Sequence, residues 1–150
     1  MIAEFDPVHP ERLISEPKCL SRPLYGFENT EHTINNEGPY AFYYHNKIYL
    51  AYSGGDARGY LYAIGMLTAN DGDDLCDLSV WEKAKTPIAS FATIPGEYGP
   101  GHNSFFWDRD QNLWIAYHAV TSFEEKIVSS GMRRVYFEQD KTPRFDVIVE

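Results

Sequence analysis

Apolar and polar positions recur along this chain with a period of two rather than 3.6, which predicts strands and almost no helix. Short runs rich in aromatic and β-branched residues mark the strands: Ile2 to Phe5, Tyr40 to Tyr44, Lys47 to Tyr52, Tyr60 to Leu67, Ser104 to Asp108, Leu113 to His118 and Arg133 to Phe137. His45-Asn46 joins the second run to the third as a tight hairpin, and Asp108 to Asn112 joins the fifth to the sixth, because Asn and Asp tolerate left-handed turn geometry. Asn70 to Asp77, dense in acidic and amide groups, reads as an exposed loop. Asp77-Leu78-Ser79-Val80-Trp81 reads as a short turn that buries its Trp.

Two segments share one design. Asn36-Glu37-Gly38-Pro39-Tyr40 and Glu97-Tyr98-Gly99-Pro100-Gly101-His102-Asn103-Ser104-Phe105 each set a polar group beside a Gly-Pro bend and then open a strand. Laid over one another, the two stretches repeat at roughly 60 residues, a period that suggests blades of a β-propeller. Innermost strands would begin near Tyr40 and Ser104, which puts Glu37 and His102 at the same end of the central channel.

Composition narrows the partners. With 150 residues, 43% of them hydrophobic and 15% aromatic, the chain has material for one core and reads as a single domain over 1–150. A formal charge of -9 with no Lys/Arg run longer than two argues against nucleic acid and membrane surfaces. Met1 to Pro7 lacks the basic and apolar regions of a signal peptide, so the chain as it stands reads as cytoplasmic. Cys19 and Cys76 lie too far apart for a paired metal or redox motif and read as free thiols.

Asn36-Glu37-Gly38-Pro39, Lys47-Ile48-Tyr49-Leu50-Ala51-Tyr52-Ser53, Tyr98 to Phe105, and Ile115-Ala116-Tyr117-His118 together resemble glycoside hydrolase family 43, in order and spacing as well as in motif. The aromatic-Glu pair Phe27-Glu28 ahead of Glu37 is similar to the branch of α-L-arabinofuranosidases and β-xylosidases, and the resemblance runs from Met1 to about Phe145. It implies a partial five-bladed β-propeller, all-β, of about two to three antiparallel blades. It also implies an inverting hydrolase that releases terminal pentoses from plant polysaccharide-derived oligosaccharides.

On this resemblance Glu37 is the general acid. The chemistry suits the role, since desolvation favours the neutral carboxylic acid and a neutral acid can protonate a departing glycosidic oxygen. Inversion also needs a second carboxylate roughly 6.5–9.5 Å away to activate water. The family's base and its further, acid-tuning aspartate have no counterpart in this chain, which begins on what resembles the outer strand of an interior blade. Asp6, ahead of Pro7, reads as a turn residue. The chain is therefore expected to be inactive alone, and to take the missing N-terminal half of the propeller, or a second copy of itself, as a partner.

The remaining candidates each carry two readings. His102 is a satisfied core histidine by itself; by resemblance it lies in the channel near the sugar or a calcium ion, and no other cofactor is expected. Tyr52, Ser53 and Arg133 are candidate sugar contacts, against core packing for Tyr52, a turn for Ser53 and a solvated strand charge for Arg133. His118, closing its strand, reads as structural. Phe42, Phe105, Phe106, Trp107 and Trp114 alternate as strand residues do and are mostly explained by packing. Lys141 stands where the resemblance places a glycine, in a turn that needs positive φ. Beside the glycosidase reading stand a non-catalytic carbohydrate-binding module and a purely structural propeller fragment.

Overall fold

The computed structural model describes residues 1–122, 124 and 127–145. Among these residues strands occupy Asn29–Thr30 (β1), Thr33–Ile34 (β2), Asn36–Tyr44 (β3), Lys47–Gly54 (β4), Ala63–Asn70 (β5), Glu82–Lys83 (β6), Tyr98–Trp107 (β7), Leu113–Ser122 (β8), Ile127–Arg134 (β9), Tyr136–Phe137 (β10) and Pro143–Arg144 (β11). Helical structure among the described residues amounts to single 3-10 turns at Gly26–Glu28 and Leu78–Val80.

Two antiparallel sheets form the frame. The first is a complete four-stranded meander, β3-β4-β5-β6; the second is β7-β8-β9, with the short ribbon β10-β11 after it. His45 and Asn46, both at positive φ, turn β3 into β4 with Tyr44 opposite Lys47, the primed geometry that matches strand twist. Asp108 closes the second hairpin by accepting from the backbone N–H groups of Asp110 and Asn112, the amide of Asn112 and the indole of Trp114. These bonds hold its carboxyl down at about 2.

The innermost strands β3 and β7 touch, and the core fills the space between the sheets. Phe42 lies 4.9 Å from Tyr49 across its own sheet and 4.5 Å from Phe105 of the other, with Phe145 beyond. Alternation along each strand sends these rings inward. Phe106 and Trp107 are largely exposed instead, so burial in the core accounts for Phe42 and Phe105 and not for them. The architecture is a partial β-propeller: one whole blade and most of the next.

Several expected elements differ in extent. Ile2 to Phe5 forms only isolated bridges, Ile2 to Lys18 and Phe5 to Leu13, because no full strand lies beside it. The strand expected from Tyr60 starts at Ala63, since the preceding residues turn around Asp56 and Gly59. Arg133 to Phe137 is broken at Val135, whose N–H goes back to Leu113. β8 continues past His118 to Ser122. Trp81 is only half-buried, its indole donating to the Leu75 carbonyl. Lys141 does take positive φ, 73°, in the turn before β11.

Candidate functional site

Both inner strands begin with a bulge. The β3-β4 register slips between Glu37 and Tyr40, and the β7-β8 register slips between Gly101 and Ser104. Tyr40 and Ser104 pair with the equivalent alanines Ala51 and Ala116, so Gly101-His102-Asn103 occupies the place of Glu37-Gly38-Pro39. The backbone agrees: Gly38 has φ 55° and His102 has φ 52°. Glycine takes that conformation freely, whereas His102 is held in it. Bulges re-aim side chains, and here they bring Glu37 and His102 to one place.

The link between them is Tyr62, a residue not singled out by any sequence motif. It sits just before β5, fully buried, and its hydroxyl lies 2.8 Å from Glu37 Oε1 and 3.1 Å from His102 Nδ1. Burial pushes its phenol well above the ordinary value; a hydrogen bond from Ser53 works against this, and the hydrogen bond to Glu37 and its charge add to the rise. Gly101 makes room for the ring: a Cβ there would fall 2.0 Å from Tyr62 Cε1. His118 of β8 stacks on Tyr62 at 5.6 Å and faces His102 at 6.0 Å. Burial lowers the His118 pKa, and repulsion from His102 adds to this, so its imidazole is neutral near pH 7.

Of the other sequence-selected residues, Ser53 joins this group, its buried hydroxyl accepting the His102 backbone N–H at 2.8 Å. Tyr52 does not; its hydroxyl donates to Glu28 at 2.8 Å. Glu28 is fully buried and also receives Lys83, the Asn36 amide and the Leu24 and Tyr25 backbone N–H groups. Burial alone would raise its pKa, yet these bonds outweigh that and lower it. Arg133 is not the solvated charge expected of it. Its side chain is 20% exposed, donating to Glu97 Oε1 and to the Tyr117 hydroxyl at 2.8 Å each, because those groups lie beside it.

Asn36 fixes the approach to Glu37, its amide oxygen accepting from Ser21 Oγ while its nitrogen donates to Glu28. A cavity of about 90 Å³ borders Glu37, lined by Ser21, Asn36, Pro39 and Tyr52 among others. The larger hollow beside Lys47 and Asp140 contains none of the residues of this group. Calcium takes six to eight oxygen ligands. The grouping of metal-ligating side chains found among the described residues is the exposed Glu4 and Asp74 with the buried Cys76, which excludes His102. A calcium ion at His102 would therefore rest on water and groups from elsewhere.

Comparison with known proteins matches this geometry to one family. The profile of glycosyl hydrolases family 43 covers residues 7–143. An extracellular exo-alpha-(1->5)-L-arabinofuranosidase of Streptomyces avermitilis is 29% identical over 149 residues, 94% of this chain and 31% of that protein. Its namesake from Streptomyces chartreusis is 38% identical over 101 residues, 67% of this chain and 30% of that protein. The crystal structure of alpha-L-arabinofuranosidase from Lactobacillus brevis superposes with a TM-score of 0.83 at 29% identity, covering 95% of this chain and 45% of that one. The chain thus spans about a third of these curated relatives and under half of the solved structure. It belongs to glycoside hydrolase family 43.

Proposed function

We propose that this chain is the acid-bearing part of an inverting pentosidase that removes terminal arabinofuranosyl or xylosyl groups from oligosaccharides, with Glu37 as general acid. The observation that carries the reading is the pose of Glu37. It stands at the bulged start of an innermost strand, half-buried, with Oε1 bonded to Tyr62 and Oε2 without a hydrogen-bond partner among the described residues. A carboxyl held by one oxygen and free at the other can deliver a proton to a bound glycosidic oxygen. The related proteins are arabinofuranosidases, which points to arabinofuranosides first.

Inversion requires a base on the opposite face of the sugar. Asp6 is not assigned this role: its Oδ1 accepts the backbone N–H groups of Val8 and His9 in a turn, and it is absent from the lining of the cavity beside Glu37. Glu28 and Glu97 are tied to Lys83 and Arg133. The base is therefore assigned to a partner that completes the propeller. Nitrophenol release from nitrophenyl arabinofuranoside and xyloside tests this, with Glu37→Gln alongside. The chain alone should release none, and adding the completing blades should give release that Glu37→Gln abolishes. Turnover by the chain alone would place the base within it, and turnover surviving Glu37→Gln would overturn the acid. The commitment of Asp6 to its turn also favours a second reading, pentose binding without turnover, which would show as saturable binding with no release in either preparation.

A further inference from the structure

We infer that Tyr62 is the positioning residue that decides which oxygen of Glu37 carries the catalytic proton, and that His102 in turn orients Tyr62. The catalytic half of the inference rests on Glu37 being the acid; the hydrogen-bond chain itself does not. A phenol has one proton and here meets three side chains: Glu37 Oε1 at 2.8 Å, His102 Nδ1 at 3.1 Å, and the Ser53 hydroxyl, which donates to it. The phenol donates to Glu37, so the contact with His102 exists only if the imidazole donates from a protonated Nδ1. That donation saturates the phenol oxygen on one side and turns its O–H toward Glu37. Oε1 is then an acceptor whether Glu37 is ionised or neutral, and a proton on Glu37 resides on Oε2, the oxygen with no partner among the described residues.

The surroundings are built to keep this order. Tyr62 is fully buried and its ring sits over Gly101, in space that any side chain there would fill. His118 stacks against it, interplanar angle 10°. His102 is pinned from its backbone by Ser53 and held at positive φ, and its ring edge lies against Gly38. No step of the chain depends on the sugar being present.

The test is the tautomer of His102, read from long-range proton–nitrogen NMR of the chain labelled with ¹⁵N-histidine, at about pH 8.5, well above the ordinary imidazole range. The wild type should show a proton on Nδ1. Tyr62→Phe, which removes one oxygen and keeps the ring, should move it to Nε2. A wild-type proton on Nε2, or a tautomer unmoved in Tyr62→Phe, would overturn the inference; the wild-type spectrum decides even if the variant fails to fold. In the completed enzyme, Tyr62→Phe should slow cleavage of pentosides with a sugar leaving group by about 10²-fold, the scale of general acid catalysis. It should leave dinitrophenyl pentosides, whose leaving group needs no proton, nearly unchanged. Equal loss on both would overturn the positioning role. Failure of the wild type to cleave any pentoside would instead remove the proposed function and leave the tautomer result standing.

Discussion

Tyr52 lies across Gly65 in the neighbouring strand, so close that a Cβ on Gly65 would fall 2.4 Å from Tyr52 Cζ. The second blade repeats the arrangement: Tyr117 lies across Gly131, where a Cβ would fall 2.7 Å from Tyr117 Cζ. In each blade the tyrosine hydroxyl then reaches a carboxylate ahead of the inner strand, and that carboxylate holds a cation: Glu28 with Lys83 in the first, Glu97 with Arg133 in the second. The missing glycine side chain lets the ring lie flat and the hydroxyl reach the loop. Gly65→Ala should therefore cost about 1–3 kcal/mol, the usual scale of overpacking, which for a domain of this size lowers Tm by about 2–4 °C per kcal/mol. Thermal unfolding checks it; an unchanged Tm would mean that the ring moves aside freely.

Glu28 predicts an acid limb of the stability curve. Its pKa is lowered in the folded chain, because the bonds from Lys83, the backbone and Tyr52 outweigh burial. A depressed folded pKa means that its contribution is complete above the unfolded carboxylate value of 4.5 and is lost as pH falls through the folded one. Unfolding free energy measured from pH 7 down to pH 3 should fall less steeply in Glu28→Gln below about 4.5. At neutral pH, Lys83→Met should cost about 3–5 kcal/mol by stranding a buried charge. A loss under 1 kcal/mol would show that water replaces the ammonium.

Much of this frame was legible in the chain. Alternation located β3, β4 and β8, and the two Gly-Pro bends marked the bulged starts of the inner strands. Tyr62 was not legible. It is one aromatic residue in a run of apolar ones, and it reaches Glu37 only because β4 folds back between β3 and the start of β5. Most of β9 was also missed, the run from Arg133 catching only its last two residues, because Ser129-Ser130-Gly131 carries no local strand signal and becomes strand by pairing with Tyr117, His118 and Ala119. Arg133 read as solvated for the same reason: its partner Glu97 lies far off in sequence, across β7 and β8. Pairing across strands, which no local window contains, made these contacts.

The open side of the second blade predicts association. Among the described residues β9 is the edge of its sheet, and Val128 and Met132 on it are 63% and 66% exposed. An unpaired edge with apolar side chains recruits another strand. The chain alone should elute from gel filtration as a dimer or larger, and Val128→Lys with Met132→Lys should shift it toward monomer. A wild type that elutes as a monomer at all concentrations would refute this.

The Asp108 carboxyl should titrate near 2 by carbon-detected NMR, and Trp114→Phe should raise it by removing one of the four donors. Titration close to the ordinary aspartate value of about 3.9 would mean that the turn is open in solution.

His102 offers a reversal of the usual order of substitutions. Its φ of 52° lies where a side chain strains the backbone, and Gly38 occupies the equivalent position of the first blade with φ 55°. In most contexts alanine is the gentler replacement, because glycine loses more freedom on folding. Here the native conformation favours glycine, and alanine retains the strain without the imidazole that the fold uses. His102→Gly should therefore be more stable than His102→Ala by about 1 kcal/mol, a difference visible as a few degrees in Tm. Both variants should lose whatever the imidazole does for Tyr62 and Glu37, so the pair separates backbone strain from side-chain chemistry at one position. If His102→Ala proves the more stable, the left-handed conformation is not enforced in solution, and the equivalence of the two bulges fails with it.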